Sequence, residues 1–290
     1  MGQSVIHALK KKSKHFLYLS GTPYNILSAF KDDEIYTWDY VNEQDAKARW
    51  ADPSRPNPYE GLARLNIRTY NLGSVFDHYN HSDEDYFEFS EFFRTWTGDE
   101  RQDGGPLPEG IQVGRFVHES DVRSFLRLLH EPSPESYYPF SREEYKAYFA
   151  HTFWVVPGVR EAAALSRLLQ EEEFFKAFYV VNVAGEGDKI ERLSDTDDAV
   201  KIEKQERDCV KKVKDAISTH ERTITLSCGR LTTGVSIEEW TAVFLLAGSY
   251  TTKAAGYLQT IFRAQTPFNT PPASRQTAMP STSPPTVRLP

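Results

Sequence analysis

The sequence predicts an α/β fold, a mainly parallel sheet flanked by helices over residues 151–268, preceded by a mainly helical N-terminal connecting region. Apolar runs of strand length recur at Thr152–Val156, Phe178–Val183, Thr223–Ser227 and Thr241–Ala247. Helical patterns separate or follow them: from beyond Pro157 through Leu169, a long amphipathic stretch over about Ala199–Ser218, and a last one from about Lys253 to Phe262. Strands alternating with helices imply right-handed βαβ units, and such units build parallel sheets.

Taken in order, the chain changes texture three times. Residues 1–30 hold a basic segment and then His15-Phe16-Leu17-Tyr18-Leu19, which reads as one short buried strand entering the loop Ser20-Gly21-Thr22-Pro23. That is a strand without a sheet of its own, so its apolar residues are expected to be exposed and prone to association. Residues 31–150 are rich in charge, aromatics and proline, with a helical pattern at Asp121–Leu129 and an acidic, Gly-containing loop from Gly98 to Gly110. Residues 151–268 form the sheet domain, and 269–290 are a Pro/Ser/Thr-rich tail expected to be disordered.

Composition narrows the function classes. The 290 residues are 39% hydrophobic and 13% aromatic, as in a globular protein, and the net charge of -7 argues against broad nonspecific adhesion to DNA. A local groove remains open to a strand, because backbone N–H groups, hydroxyls and helix N-termini also hold phosphates. No run of eighteen apolar residues occurs, and Met1–Lys14 lacks an apolar stretch long enough for a signal peptide, so a cytoplasmic protein without a membrane segment is expected. Cys209 and Cys228 are too few and too far apart for a zinc knuckle or a disulfide framework.

In a parallel α/β sheet, ligands gather at the carboxyl ends of the strands. The loop after the third run, Cys228-Gly229-Arg230-Leu231-Thr232-Thr233-Gly234-Val235-Ser236-Ile237, combines two hydroxyls with a glycine. That suits close approach to a phosphodiester, and equally an ordinary polar turn. Arg263, in Gln259-Thr260-Ile261-Phe262-Arg263-Ala264-Gln265-Thr266, stands at a helix end. A guanidinium there can reach a γ-phosphate on a neighbouring lobe, or simply answer the helix dipole. His78 and His81, with Asp77 and Asp83, lack a distal ligand pair, and Asp83-Glu84-Asp85 reads as a solvated loop, so no metal site is expected.

Together these segments resemble the C-terminal motor lobe, a RecA-like domain, of superfamily II DNA helicases of the DEAD/DEAH type associated with restriction endonucleases. Leu17-Tyr18-Leu19-Ser20-Gly21-Thr22-Pro23 resembles motif III, Phe153-Trp154-Val155-Val156-Pro157 motif IV, Thr232-Thr233-Gly234-Val235-Ser236-Ile237 motif V and Gln259–Thr266 motif VI. The resemblance implies that Ser20, Gly21 and Thr22 couple nucleotide to DNA, that Pro157, Thr232, Thr233 and Gly234 touch the DNA backbone, and that Arg263 and Gln259 serve ATP hydrolysis. Phe262 replaces a glycine of motif VI and Thr266 its second arginine, which leaves Arg263 the one finger candidate.

The complete motor would use ATP and Mg2+. This chain contains no Gly-x-x-x-x-Gly-Lys-Ser/Thr loop; Gly185-Glu186-Gly187-Asp188-Lys189 has the wrong spacing and an acidic centre. The expectation is therefore a lobe inactive alone, beginning at motif III, with a first RecA-like lobe supplied by another chain or lost by truncation of the gene. DNA is the expected partner, with nuclease or methyltransferase subunits as possible companions. The alternative is a non-catalytic interaction or DNA-binding module derived from a helicase. A Rossmann dehydrogenase or methyltransferase ranks lower, because Val155-Val156-Pro157-Gly158-Val159 offers a single glycine after the first strand.

Overall fold

A computed structural model of the chain describes residues 17–25, 27–68, 70, 74–79, 87–132, 138–143, 147–185, 198–232, 235–248 and 254–266. Its contacts divide into two compact units, residues 1–37 and 38–290. The expected tail at 269–290, and Phe16, His81, Asp83, Glu84, Asp85, Gly187, Thr233 and Gly234, lie outside the described residues.

In the first unit the described residues form 3-10 turns at Pro23–Asn25, Leu27–Ala29 and Asp32–Glu34. The expected buried strand is not formed over residues 17–20, where Leu17 and Leu19 are 83% and 87% exposed. The physical reason is the one its isolation suggests: a strand takes its backbone hydrogen bonds from a neighbour, and no described segment pairs with this one.

In the second unit, α1 (Tyr40–Arg49) begins at Asp39, whose carboxylate accepts from the Asn42 N–H at 2.9 Å while the Asn42 side chain accepts from the Asp39 N–H at 3.1 Å. Two single-turn helices follow, α2 (Phe89–Phe92) and α3 (Glu100–Asp103), then α4 (Glu119–Leu128), which buries Val122, Phe125 and Leu126 along one stripe. Helices and helical turns thus recur through the described part of the connecting region, between stretches of turn and irregular chain.

The sheet domain runs β1 (His151–Val155), α5 (Val159–Glu171), β2 (Tyr179–Asn182), α6 (Asp198–Thr219), β3 (Thr223–Ser227), β4 (Ala242–Leu245) and α7 (Ala254–Ile261). Among the described residues the sheet has four strands in the order β2-β3-β1-β4, all parallel, with His151 opposite Thr223 and Thr152 opposite Ala242. The α/β class expected from the sequence holds, and the arrangement fits a RecA-like lobe. Each strand falls within an expected apolar run, give or take a residue at the ends.

Alternation along the strands sorts the core into two layers. Trp154, Ile224 and Leu226 face Leu165, Leu168 and Phe175. Phe153, Val181 and Val183 face Val213 and Ala216 of α6, with Trp240 stacked on Phe153 at 4.4 Å. The first layer is shared with the connecting region. Phe92, Phe93, Phe116, Phe125 and Leu126 belong to it, and Phe140 lies 5.5–5.8 Å from the rings of Phe149, Phe174, Phe175, Phe178 and Phe244. At roughly 150–250 Å² of apolar surface per ring, these aromatics dominate the burial that holds the helical region to the sheet.

Candidate functional site

The carboxyl ends of β1, β2 and β3 converge. At the end of β1 the Val156 N–H donates to the Ser227 carbonyl at 2.9 Å, and the Cys228 thiol donates to the Pro157 carbonyl at 3.4 Å. Burial first, and the Glu161 carboxylate second, push the Cys228 thiol up from its ordinary pKa, so it stays protonated and able to donate. Pro157 is therefore seated against the loop that follows β3.

That loop turns sharply. Gly229 has φ 78, and Leu231 has φ 60 with its side chain 2% exposed. A left-handed conformation is an outlier for a bulky residue, and it persists because the surroundings over-determine it. Here they do: the Ser227 hydroxyl donates to the Arg230 carbonyl at 2.5 Å, the Thr232 hydroxyl donates to the Gly229 carbonyl at 2.9 Å, and Leu231 sits in the core layer with Val213 and Trp240.

Arg230 ties this loop to the others. Its guanidinium donates to Gln205 Oε1 at 3.4 Å and reaches Cys209 Sγ at 3.9 Å, both on α6. Gly185, just past β2, has φ 134, and a Cβ there would lie 3.7 Å from Val159 and 3.8 Å from Arg230 Nη2. Glycine suits this site by its backbone angle, since the space for a methyl exists.

Arg263 follows α7 in a 3-10 turn, Phe262–Gln265, and points inward. Its Nε donates to the Gln259 carbonyl at 3.0 Å and its Nη1 to the Val235 carbonyl, which links the end of α7 to the loop after β3. The guanidinium is half-buried, and that burial pushes its pKa down. The main chain nearby is tied as well: the Thr266 hydroxyl donates to the Arg263 carbonyl at 3.1 Å.

The structure thus brings Pro157, Thr232, Gln259 and Arg263 to one set of linked loops in the second unit. Ser20, Gly21 and Thr22 belong to the first unit, where the Thr22 N–H donates to Ser20 Oγ at 3.2 Å and Gly21 is open to solvent. Thr233 and Gly234 lie outside the described residues. His78 stands 3.6 Å from Asp121, whose carboxylate accepts from the Tyr79 hydroxyl at 2.6 Å. Among the described residues no group of three His, Cys, Asp or Glu is placed to hold a metal ion.

The turn after β1 is closed by the chain itself. Gly158 caps α5, and the Glu161 carboxylate folds back so far that a Cβ on Gly158 would meet its Oε2 at 2.0 Å. Thr95 donates to the other oxygen, Oε1, at 3.0 Å. A carboxylate fixed at the positive end of a helix takes the place an incoming phosphate would need. The residues that sequence reasoning missed are Arg230 and Leu231. The basic residue in a glycine-bearing loop was a signal for the first; nothing in a lone leucine signals a positive φ.

No family model matches the chain, and no solved structure matches it. The chain is similar to a protein of Mycoplasma pneumoniae described as "Putative type II restriction enzyme and methyltransferase RM.MpnORF110P C-terminus", at 27% identity over 280 residues that take in 88% of this chain. This chain covers 35% of that relative's length. Among the described residues, no helix is long and apolar enough to cross a membrane.

Proposed function

We propose that the chain is the DNA-engaging, RecA-like C-terminal lobe of a restriction-modification motor, binding the strand backbone with the loops at the carboxyl edge of its sheet. The observation that carries this is the Arg263 link: the one side chain with the position of a finger is bonded to the loop whose Thr232 is the candidate backbone contact. Movement of a strand across that loop is thereby mechanically joined to the end of α7. The similarity to the Mycoplasma pneumoniae protein described as a putative type II restriction enzyme and methyltransferase supports the restriction-modification setting.

The residues of this chain do not fit ATP and Mg2+ by themselves: the sequence has no phosphate-cradling glycine loop, and the described residues hold no carboxylate cluster for the metal. Nucleotide would therefore sit on a first RecA-like lobe outside these 290 residues. For Arg263 to face it, the guanidinium must exchange the carbonyls of Val235 and Gln259 for phosphate oxygens, and charge-assisted bonds favour that exchange.

Binding of a labelled single-stranded oligonucleotide to the purified chain tests the reading. With each lost hydroxyl contact at about 1 kcal/mol, a Thr232→Ala, Thr233→Ala double variant should bind roughly 10- to 30-fold more weakly. ATP turnover should be absent with or without DNA. Equal affinity of the double variant and the parent would defeat the proposal; DNA-stimulated turnover that Arg263→Ala abolishes would show a complete nucleotide site on this chain.

The second reading, a non-catalytic module derived from a helicase, is favoured by the inward set of Arg263. It differs in predicting that adding a first lobe in trans restores no ATPase sensitive to Arg263→Ala.

A further inference from the structure

Away from the linked loops, three aromatic rings gather on the surface of the connecting region. Tyr59 is their shared member, with the Trp38 ring stacked on it at 6.2 Å and the Trp50 ring edge-on at 6.5 Å. Trp38 is 47% exposed and Trp50 36%, so two of the largest apolar side chains are left open together. Local bonds hold them there. Trp38 directly precedes the Asp39 cap of α1, and Trp50 follows its last residue, with the indole N–H donating to the Arg55 carbonyl at 3.2 Å. Asn57 Nδ2 donates to the Lys47 carbonyl at 3.0 Å, which fixes the stretch that carries Tyr59 against the same helix.

The chain's own continuation starts beside this cluster. Gln265, 8% exposed, donates from Nε2 to the Ala63 carbonyl at 2.9 Å, and Phe262 lies 6.2 Å from Tyr40. Tyr59 is four residues from Ala63, at most about 14 Å of extended chain. Residues 267–290 lie beyond the described residues and are rich in proline, opening with Pro267, Pro271 and Pro272. The first of these prolines are therefore within reach of the rings.

Charge and chemistry decide between occupants. Arg49 and Arg55, on either side of Trp50 in sequence, already face Asp45 at 3.3 Å and Asp52 at 3.9 Å, and residues 267–274 carry no charge. A nucleic-acid strand needs cations for its phosphates; a Pro-rich segment needs aromatic faces for its pyrrolidine rings. Polyproline II leaves its carbonyls unbonded, and Trp38 makes no hydrogen bond with any described residue, so its indole N–H can donate to one of them.

We propose that the Trp38, Tyr59 and Trp50 rings are a docking surface for residues 267–272 of the same chain, an intramolecular clasp that fastens the turn carrying Arg263 to the connecting region. About four residues of polyproline II, at about 3.1 Å each, span the cluster. Because Gln265 already holds the start of the segment beside Ala63, the tether is short, and an effective concentration on the order of millimolar fills even a weak site. The proposal stands apart from the DNA reading, since it uses none of the edge-loop residues.

The test is trypsin cleavage after Arg275, three residues beyond Pro272, in the full chain, followed by mass spectrometry. A synthetic peptide of residues 266–290 gives the rate for the undocked sequence. Arg275 of the parent should be cut about fivefold or more slowly than in the peptide, because cleavage tracks the undocked population. Trp38→Ala with Trp50→Ala should restore the peptide rate. Pro271→Ser with Pro272→Ser, which alters no described residue, should do the same and should shift the Trp38 indole N–H resonance, assigned with Trp38→Phe.

Cleavage of the parent at the peptide rate overturns the proposal, as does protection that survives removal of both indoles. Protection that grows with protein concentration overturns it in favour of a clasp between two copies. A Trp38 resonance that moves with oligodeoxythymidine and not with the proline variant overturns it in favour of a base-stacking surface.

Discussion

Leu231 sets two effects against each other. Holding a non-glycine residue in the left-handed region costs roughly 1–3 kcal/mol, and its fully buried side chain returns an amount of the same order. For Leu231→Gly the lost packing, about 2–5 kcal/mol for a large-to-small change in a core, outweighs the relieved strain. We expect a net destabilisation of roughly 1–3 kcal/mol in urea unfolding, and a gain in stability would show that the packing is looser than the burial implies. Thr225 presents the opposite case. Its buried hydroxyl has no hydrogen-bond partner among the described residues, so Thr225→Val should be neutral or stabilise by up to about 1 kcal/mol, read as a rise in Tm. His151, at the head of β1, is held below the ordinary histidine value of 6.5 by burial, against the pull of Glu239. The unfolded chain then takes up the proton first. Its contribution to stability is complete above about pH 6.5 and drains away as pH falls through the lower folded value. His151→Asn should flatten that limb of the stability profile and leave the neutral-pH side in place.

At the scale of elements, Arg123 is the main tie between α4 and the end of α5, with Arg115 beside it. Arg123 donates to Glu172 at 2.7 Å and to Glu119 at 2.9 Å, and it also bonds Glu171. The bond to Arg123 holds the Glu171 carboxyl below its usual range. Removing the hub takes this partner from Glu172 and leaves Arg115, 3.5 Å from Glu119 and 3.3 Å from Glu171, to face the other two carboxylates; Arg123→Ala should destabilise by roughly 1–3 kcal/mol, less at high salt. With a lowered carboxyl pKa, that stability is present above about pH 4.3 and is lost as pH falls through the folded value, so the parent and variant curves should converge in acid. Elements of this kind were unevenly legible. The run Thr223–Ser227 is the strand residue for residue, because a short, fully buried β-branched segment has few other ways to pair its backbone. Residues 31–150 were opaque, because Phe76, Phe92, Phe116 and Phe140 are buried from turns and single-turn helices that carry no period. At the candidate site the sequence marked the end of β3 and the turn at Gly229 that follows it. The inward set of Arg263 was not legible, since its partner is a main-chain carbonyl 28 residues away.

At the scale of the molecule, the described core members all come from Phe76 onward, so the first unit contributes none of them. A chain starting at Trp38 should therefore keep a cooperative unfolding transition, and shedding the exposed Leu17 and Leu19 should raise its solubility. Calorimetry that shows a broadened or missing transition in that truncation would count against the division into units.

The strand order β2-β3-β1-β4 bears on how the protein is made. Of the four described strands β1 is made first and lies inside the finished sheet, yet its neighbours come late: His151 pairs with Thr223, 72 residues on, and accepts from Thr241, 90 residues on. At about 5–20 residues per second, Phe153 and Trp154 wait roughly 5–20 s for the partners that will cover them. Translation speed over residues 156–245, and a chaperone able to hold one aromatic strand for that interval, should govern the yield of folded protein.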